Sequence, residues 1–194
     1  MKTQDAFEKI RILGAIGLCC AGNTEPVERV MRMENFVPVE PAKLPTGYPF
    51  AEYEKCEVMW LSNKAPFTDI LIFQRFSRVF ERAIELSRVI GDYVFAFRAT
   101  GKRPDCLKVY ENGRIILKSG PDDDDESGLL MPESEPEEIK RQLSAMGVDT
   151  AVKIGTPWQI ARAFGMPEIS RMEQVKTLPD IKKIVFLSMD STIV

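Results

Sequence analysis

Nine of the 29 acidic residues of this 194-residue chain fall between Lys118 and Lys140, with no Lys or Arg among them. Asp122, Asp123, Asp124, Asp125 and Glu126 are consecutive; Glu133, Glu135, Glu137 and Glu138 follow. Carboxylates at that density either converge on a hard cation or repel one another and stay in water, where their field steers a basic partner. Proline at 121 and 132 and glycine at 120 and 128 disfavour a regular element. Five adjacent acids also have no route into a core without partners. The segment therefore reads as an acidic tether with Leu129, Leu130 and Met131 as its apolar anchor. Asp122, Asp123, Asp124, Asp125, Glu126, Leu129 and Leu130 are the expected partner-binding residues, and the expected partner is a protein with a basic surface.

The other chemistries are narrowed by a zero. The chain has no histidine, which removes the imidazole general base, the Ser-His-Asp and Cys-His nucleophiles and every His-bearing zinc or haem site. Cys19, Cys20, Cys56 and Cys106 show no CxxC spacing, so no metal site and no cofactor is expected, and buried thiols in a reducing, cytoplasmic setting are the reading. Residues 10–21 are apolar but interrupted by Arg11, too short for a membrane span, and preceded by Asp5 and Glu8 rather than a basic leader. No membrane association is expected.

Three short segments resemble known motifs. Asp123, Asp125, Ser127, Gly128 and Leu130 resemble positions one, three, five, six and eight of an EF-hand calcium loop, but position twelve is Ser134, which cannot supply the bidentate carboxylate. Residues 156–172, "TPWQIARAFGMPEISRM", resemble a helix-turn-helix; over residues 156–176, Glu168 and Glu173 against Arg162, Arg171 and Lys176 leave a net charge of +1, which neutralises few phosphates. The "SMDST" of 188–192 resembles the first motif of haloacid dehalogenase-type phosphatases, with Asp190 and Thr192 in place and Ser188 standing where the nucleophilic aspartate belongs.

The elements that must position such residues follow from periodicity. Residues 3–21 read as an apolar helix, and Thr24-Glu25-Pro26 opens a second helix to about Glu34 with Val27, Val30 and Met31 inward. Together they form an expected helical arm, 1–36, a surface for homo-oligomerisation, followed by a proline-rich connection at 37–50 and an α+β domain at 51–194. In that domain "CEVMWLS" and "TDILIF" read as strands, and residues 75–90 as a core-covering helix ended by Gly91. Arg75, Arg78 and Arg82 are assigned to its solvent face as a candidate phosphate-binding row. A three-stranded meander over 92–118 turns at Asn112-Gly113, whose tolerance of positive φ predicts a type I′ hairpin pairing Tyr110 with Ile115, Val109 with Ile116 and Lys108 with Leu117. The Val109 and Ile116 face is expected against the core. A helix near 136–146, strand and helix segments at 150–164 and the strand "KIVFLSM" complete the chain.

The expected fold is α+β, an antiparallel sheet covered by helices with an N-terminal helical arm. The expected function is a non-catalytic intracellular binding or assembly protein of the immunity-inhibitor, adaptor or virion-component kind. A hydrolase or transferase built on carboxylates such as Asp69, Glu81 and Glu85 is the alternative; nucleic-acid binding through residues 156–175 ranks below it.

Overall fold

The computed structural model describes residues 14–18, 23–40, 56–64, 67–73, 78–100, 103–120, 136–145, 147, 159–160, 177, 180 and 182–189. The described elements are β1 (Gly14–Leu18), α1 (Glu25–Met33), β2 (Phe36–Val39), β3 (Cys56–Lys64), β4 (Phe67–Phe73), α2 (Val79–Ile90), β5 (Val94–Thr100), β6 (Arg103–Glu111), β7 (Arg114–Ser119), α3 (Pro136–Ala145) and β8 (Lys182–Ser188). All eight strands join one sheet in the order β2-β8-β3-β4-β1-β5-β6-β7, and every neighbouring pair is antiparallel. The fold is thus α+β, as the periodicities imply. No helix among the described residues is long and apolar enough to cross a membrane.

The largest departure from the sequence reading is β1. Residues 14–18 fall inside the expected first helix, yet they form a strand between β4 and β5, with Ile16 opposite Leu71 on one side and Ala96 on the other. A short apolar run flanked on both sides by strands carries no alternation, so periodicity does not separate it from a buried helix. Glycines at 14 and 17 weaken a helix and a strand alike, so pairing with β4 on one side and β5 on the other decides for the strand. This part of the expected arm therefore lies inside the sheet. The expected connection at 37–50 is corrected in the same way at its start, since Phe36–Val39 pairs with β8 as an edge strand. Pro38 is tolerated there because an edge strand has one side without a ladder partner.

Pairing directions explain the helices. Because β4 and β5 are both antiparallel to β1, they run parallel to one another, and a parallel return needs a crossover, which α2 supplies. By the same count β1 and β2 are parallel, and α1 makes that crossover. The two crossovers travel in opposite lateral directions from strands of opposite sense, so crossovers of one hand set both helices on the same face. There Val27, Val30 and Met31 of α1 and Val79, Ala83 and Leu86 of α2 close over Ile16, Met59, Val94, Ala96, Tyr110 and Phe186. On the opposite face Phe95, Phe97, Leu107, Val109, Leu117, Val185 and Leu187 are also buried, and α3, with Ile139 and Leu143 buried, lies against β7.

Helix ends follow local chemistry. Pro26 occupies the first turn of α1, while the Asn23 Oδ1 accepts the Glu25 amide at 3.0 Å; the Thr24 hydroxyl instead donates to Glu28 at 2.9 Å. Asn35, at φ 62°, ends the helix in the left-handed region. Gly91 at φ 70° ends α2, and Gly147 at φ 75° follows α3, both as expected.

At the hairpin, Asn112 and Gly113 have φ of 49° and 76°, the values a type I′ turn requires. Pairing starts as expected with Glu111 opposite Arg114 and Tyr110 opposite Ile115, then shifts: Val109 meets Leu117, and Lys108 meets Lys118. The extra residue, Ile116, makes a bulge, and the expected pairing of Val109 with Ile116 is corrected accordingly. Tyr110 and Ile115 thus pack under the helices while Val109 and Leu117 serve the opposite face, so it is not the Val109 face that meets the helix-covered core.

The hairpin tip is docked on α2. The Gly113 amide donates to Ser87 Oγ at 2.8 Å, and that hydroxyl donates to the Ile84 carbonyl at 2.8 Å. A Cβ on Gly113 would run into the Arg88 side chain, whereas one on Gly91 meets nothing within 4 Å. Gly91→Ala is therefore expected to cost about 1 kcal/mol, for positive φ alone, and Gly113→Val about 2 kcal/mol or more. Urea unfolding of the two variants checks the order; equal losses would contradict the docked tip.

Candidate functional site

The densest charge in the described structure is not on the surface but beneath the crossing of the two helices. Arg82, one turn into α2, shares its face with Val79, Ala83 and Leu86, so helical spacing turns it inward, and its side chain is only 4% exposed. Its Nη2 lies 2.8 Å from Glu34 Oε2, and its Nε is within 3.2 Å of Glu34 Oε1. Glu34 caps the C-terminus of α1. From below, Glu57 of β3, itself 3% exposed, is reached by Nη2 at 3.3 Å. Arg82 Nη1 stands 3.1 Å from Glu57 Oε1, a charge contact whose angle is too poor for a hydrogen bond. Arg78, half exposed, completes the set with Nη1 3.2 Å from Glu34 Oε2.

Two guanidinium groups and two carboxylates leave the cluster neutral. Burial opposes the charge on Arg82, but hydrogen bonds and attraction from Glu34 and Glu57 outweigh it and hold the guanidinium protonated above its ordinary range. Such an arrangement positions elements. The expected solvent-facing placement of the arginine row is corrected here at Arg82. Arg82 is buried and paired instead of lining the solvent face, Arg78 is paired with Glu34, and Arg75 lies outside the described residues. Glu34 and Glu57 were not singled out by sequence reasoning. The signal was there for Glu57, which alternates with Met59 along a buried strand, and for Arg82, which sits three residues from Val79 and four from Leu86.

A second buried charge pair has one sign. Lys108 and Lys118 face each other across β6 and β7, both buried, with Lys108 Nζ 4.5 Å from the centre of the Phe80 ring. That contact supplies the lysine with an aromatic face on the same side of the sheet as α2.

Of the carboxylates weighed for catalysis, Asp69 is on β4 opposite Leu18, Glu81 is exposed in the first turn of α2, and Glu85 is ion-paired with Arg88. Ser188, in the position of the phosphatase nucleophile, ends β8 opposite Phe36. Asp190 and Thr192, the acidic tract with Asp122 to Glu126, Leu129 and Leu130, and most of the helix-turn-helix-like segment lie outside the described residues. Cys106 is buried. Among the described residues no group of three or more Cys, Asp or Glu is placed to hold a metal ion.

Removing one member of a buried pair strands the other's charge, a cost of about 3–5 kcal/mol, whereas replacing both with apolar groups is often near neutral. Arg82→Met should therefore lower stability by about 3 kcal/mol or more, and Arg82→Met with Glu57→Met should regain more than half of it. Chemical denaturation of the two variants decides; a loss under about 1 kcal/mol for the single change would mean the cluster is peripheral.

Comparison with known proteins finds no matching family model, no similar curated protein and no similar solved structure.

Proposed function

We propose that the protein is a non-catalytic binding or assembly protein whose acidic tract meets a protein partner with a basic surface. The observation that carries this reading is the segregation of charge in the sequence. Nine acids stand without an intervening base between Lys118 and Lys140, and the rest of the chain carries an excess of six positive charges. The buried Glu57 and the half-buried Glu34 support it from the other side, because both are paired with Arg82, and Glu34 with Arg78 as well. The N-terminal apolar run no longer counts toward the reading, since its residues 14–18 are used within the sheet.

In this reading Asp122, Asp123, Asp124, Asp125 and Glu126 act through their field. Their contribution is to the rate of encounter and decays over a Debye length of about 8 Å at physiological salt. Leu129 and Leu130 supply the short-range apolar contact after encounter. The tract follows directly on β7, whose strand ends at Ser119, so it is tethered at the edge of the sheet.

Affinity capture from the native host, with the wild type and with Asp122 to Asp125 all changed to Asn, tests it. The captured partner should associate several-fold more slowly with the Asn variant at low salt and with a flatter salt dependence, while the melting temperature is unchanged. Equal association rates, or a large loss of stability, would overturn the proposal.

A further inference from the structure

The outward face of α1 carries a charge pattern that its own fold uses only in part, Glu28 accepting from the Thr24 hydroxyl at 2.9 Å. Val27, Val30 and Met31 face the core. The opposite side carries, in order, Glu25, Glu28, Arg29, Arg32 and Met33, which line an open depression on the surface. Acids near the start and bases near the end suit the helix dipole, which accounts for Glu25 and Arg32. It does not account for Arg29 in mid-helix. Neither the Arg29 nor the Glu25 side chain makes an ion pair among the described residues, and Glu28 reaches Arg32 only at 3.9 Å.

Such an order is complementary to itself when reversed. A two-fold axis midway between positions 28 and 29 brings Glu25 opposite Arg32 and Glu28 opposite Arg29 of a second, antiparallel helix, each twice. Met33, 62% exposed, then falls opposite Thr24 of the other copy, and Met189, 57% exposed, is held near the end of α1 by its amide, which donates to the Asn35 carbonyl at 2.8 Å. We propose that this face of α1 is the contact of a homodimer, with α1 packed antiparallel against α1 of a second copy through these reciprocal ion pairs and the flanking methionines. The inference rests on the assembly reading above but on a different surface. Exposed ion pairs are individually weak, so the dimer is salt-sensitive and concentration-dependent.

Sedimentation velocity over a concentration series, at about 50 mM and about 500 mM NaCl, measures it. The wild type should dimerise at the lower salt and dissociate at the higher. Glu25→Arg with Glu28→Arg makes the face all basic, and Arg29→Glu with Arg32→Glu makes it all acidic. Each should be monomeric alone and should form a one-to-one heterodimer when mixed. Arg29→Glu by itself leaves both helix ends as they are and should weaken the dimer by at least about tenfold, with an unchanged circular dichroism spectrum. A wild type that stays monomeric, variants that dimerise as it does, or a mixture that stays monomeric would each overturn the proposal. A monomeric wild type that still captures a partner through the acidic tract would remove the dimer alone. An intact dimer whose partner capture ignores the tract would remove only the reading it rests on.

Discussion

A guanidinium group buried at 4% exposure has to find its counter-charges, and Arg82 finds them on two elements that are distant in sequence. Glu34 lies 48 residues before it at the end of α1, and Glu57 lies 25 residues before it on an interior strand. α2 could not slide over the sheet by a turn without parting Arg82 from Glu57, and α1 could not without parting Glu34 from Arg82. Apolar packing beneath the helices is more permissive, because Val, Leu and Met contacts are non-directional and a shifted arrangement keeps much of their burial. The ion cluster therefore specifies how α1, α2 and β3 meet, while the hydrophobic core supplies most of the free energy of their meeting.

β1 and β8, far apart in sequence, are drawn into the same sheet. The β3-β4 hairpin and the β5-β6-β7 meander are local units that form from neighbouring sequence. Alone, each has an open edge. β1 joins them by pairing with both β4 and β5, and β8 covers the far side of β3 before β2 closes the order. Glu57 sits on β3, within the part of the sheet that depends on those non-local pairings, so the cluster ties the crossover helices to the least local part of the fold.

What was legible in the sequence divides along the same line. The hairpin turn at Asn112-Gly113, the covering helix ended by Gly91, α1 with Pro26 in its first turn, and the strands β3, β4 and β8 all announce themselves through nearby residues. β1 did not, because GAIGL has no alternation to read and its partners lie more than 50 residues away. Nor did the bulge at Ile116, where three consecutive apolar residues offered no reason to prefer one register; the need to bury Ile115 under α2 and Leu117 on the opposite face decides it. Arg82 was misplaced by grouping it with the arginines at 75 and 78. Its spacing from Val79 and Leu86 pointed inward, but an inward arginine is credible only once Glu34 and Glu57 are known to meet it.

The account stands on the claim that the cluster links α1, α2 and β3 into one cooperative unit. Native-state hydrogen exchange of the wild type and of Arg82→Met tests that directly. The account predicts that the amides of Val30 and Met31 on α1 and of Met59 on β3 lose protection together with those of Ala83 and Leu86 on α2. Loss confined to α2, with α1 and β3 protected as in the wild type, would contradict it.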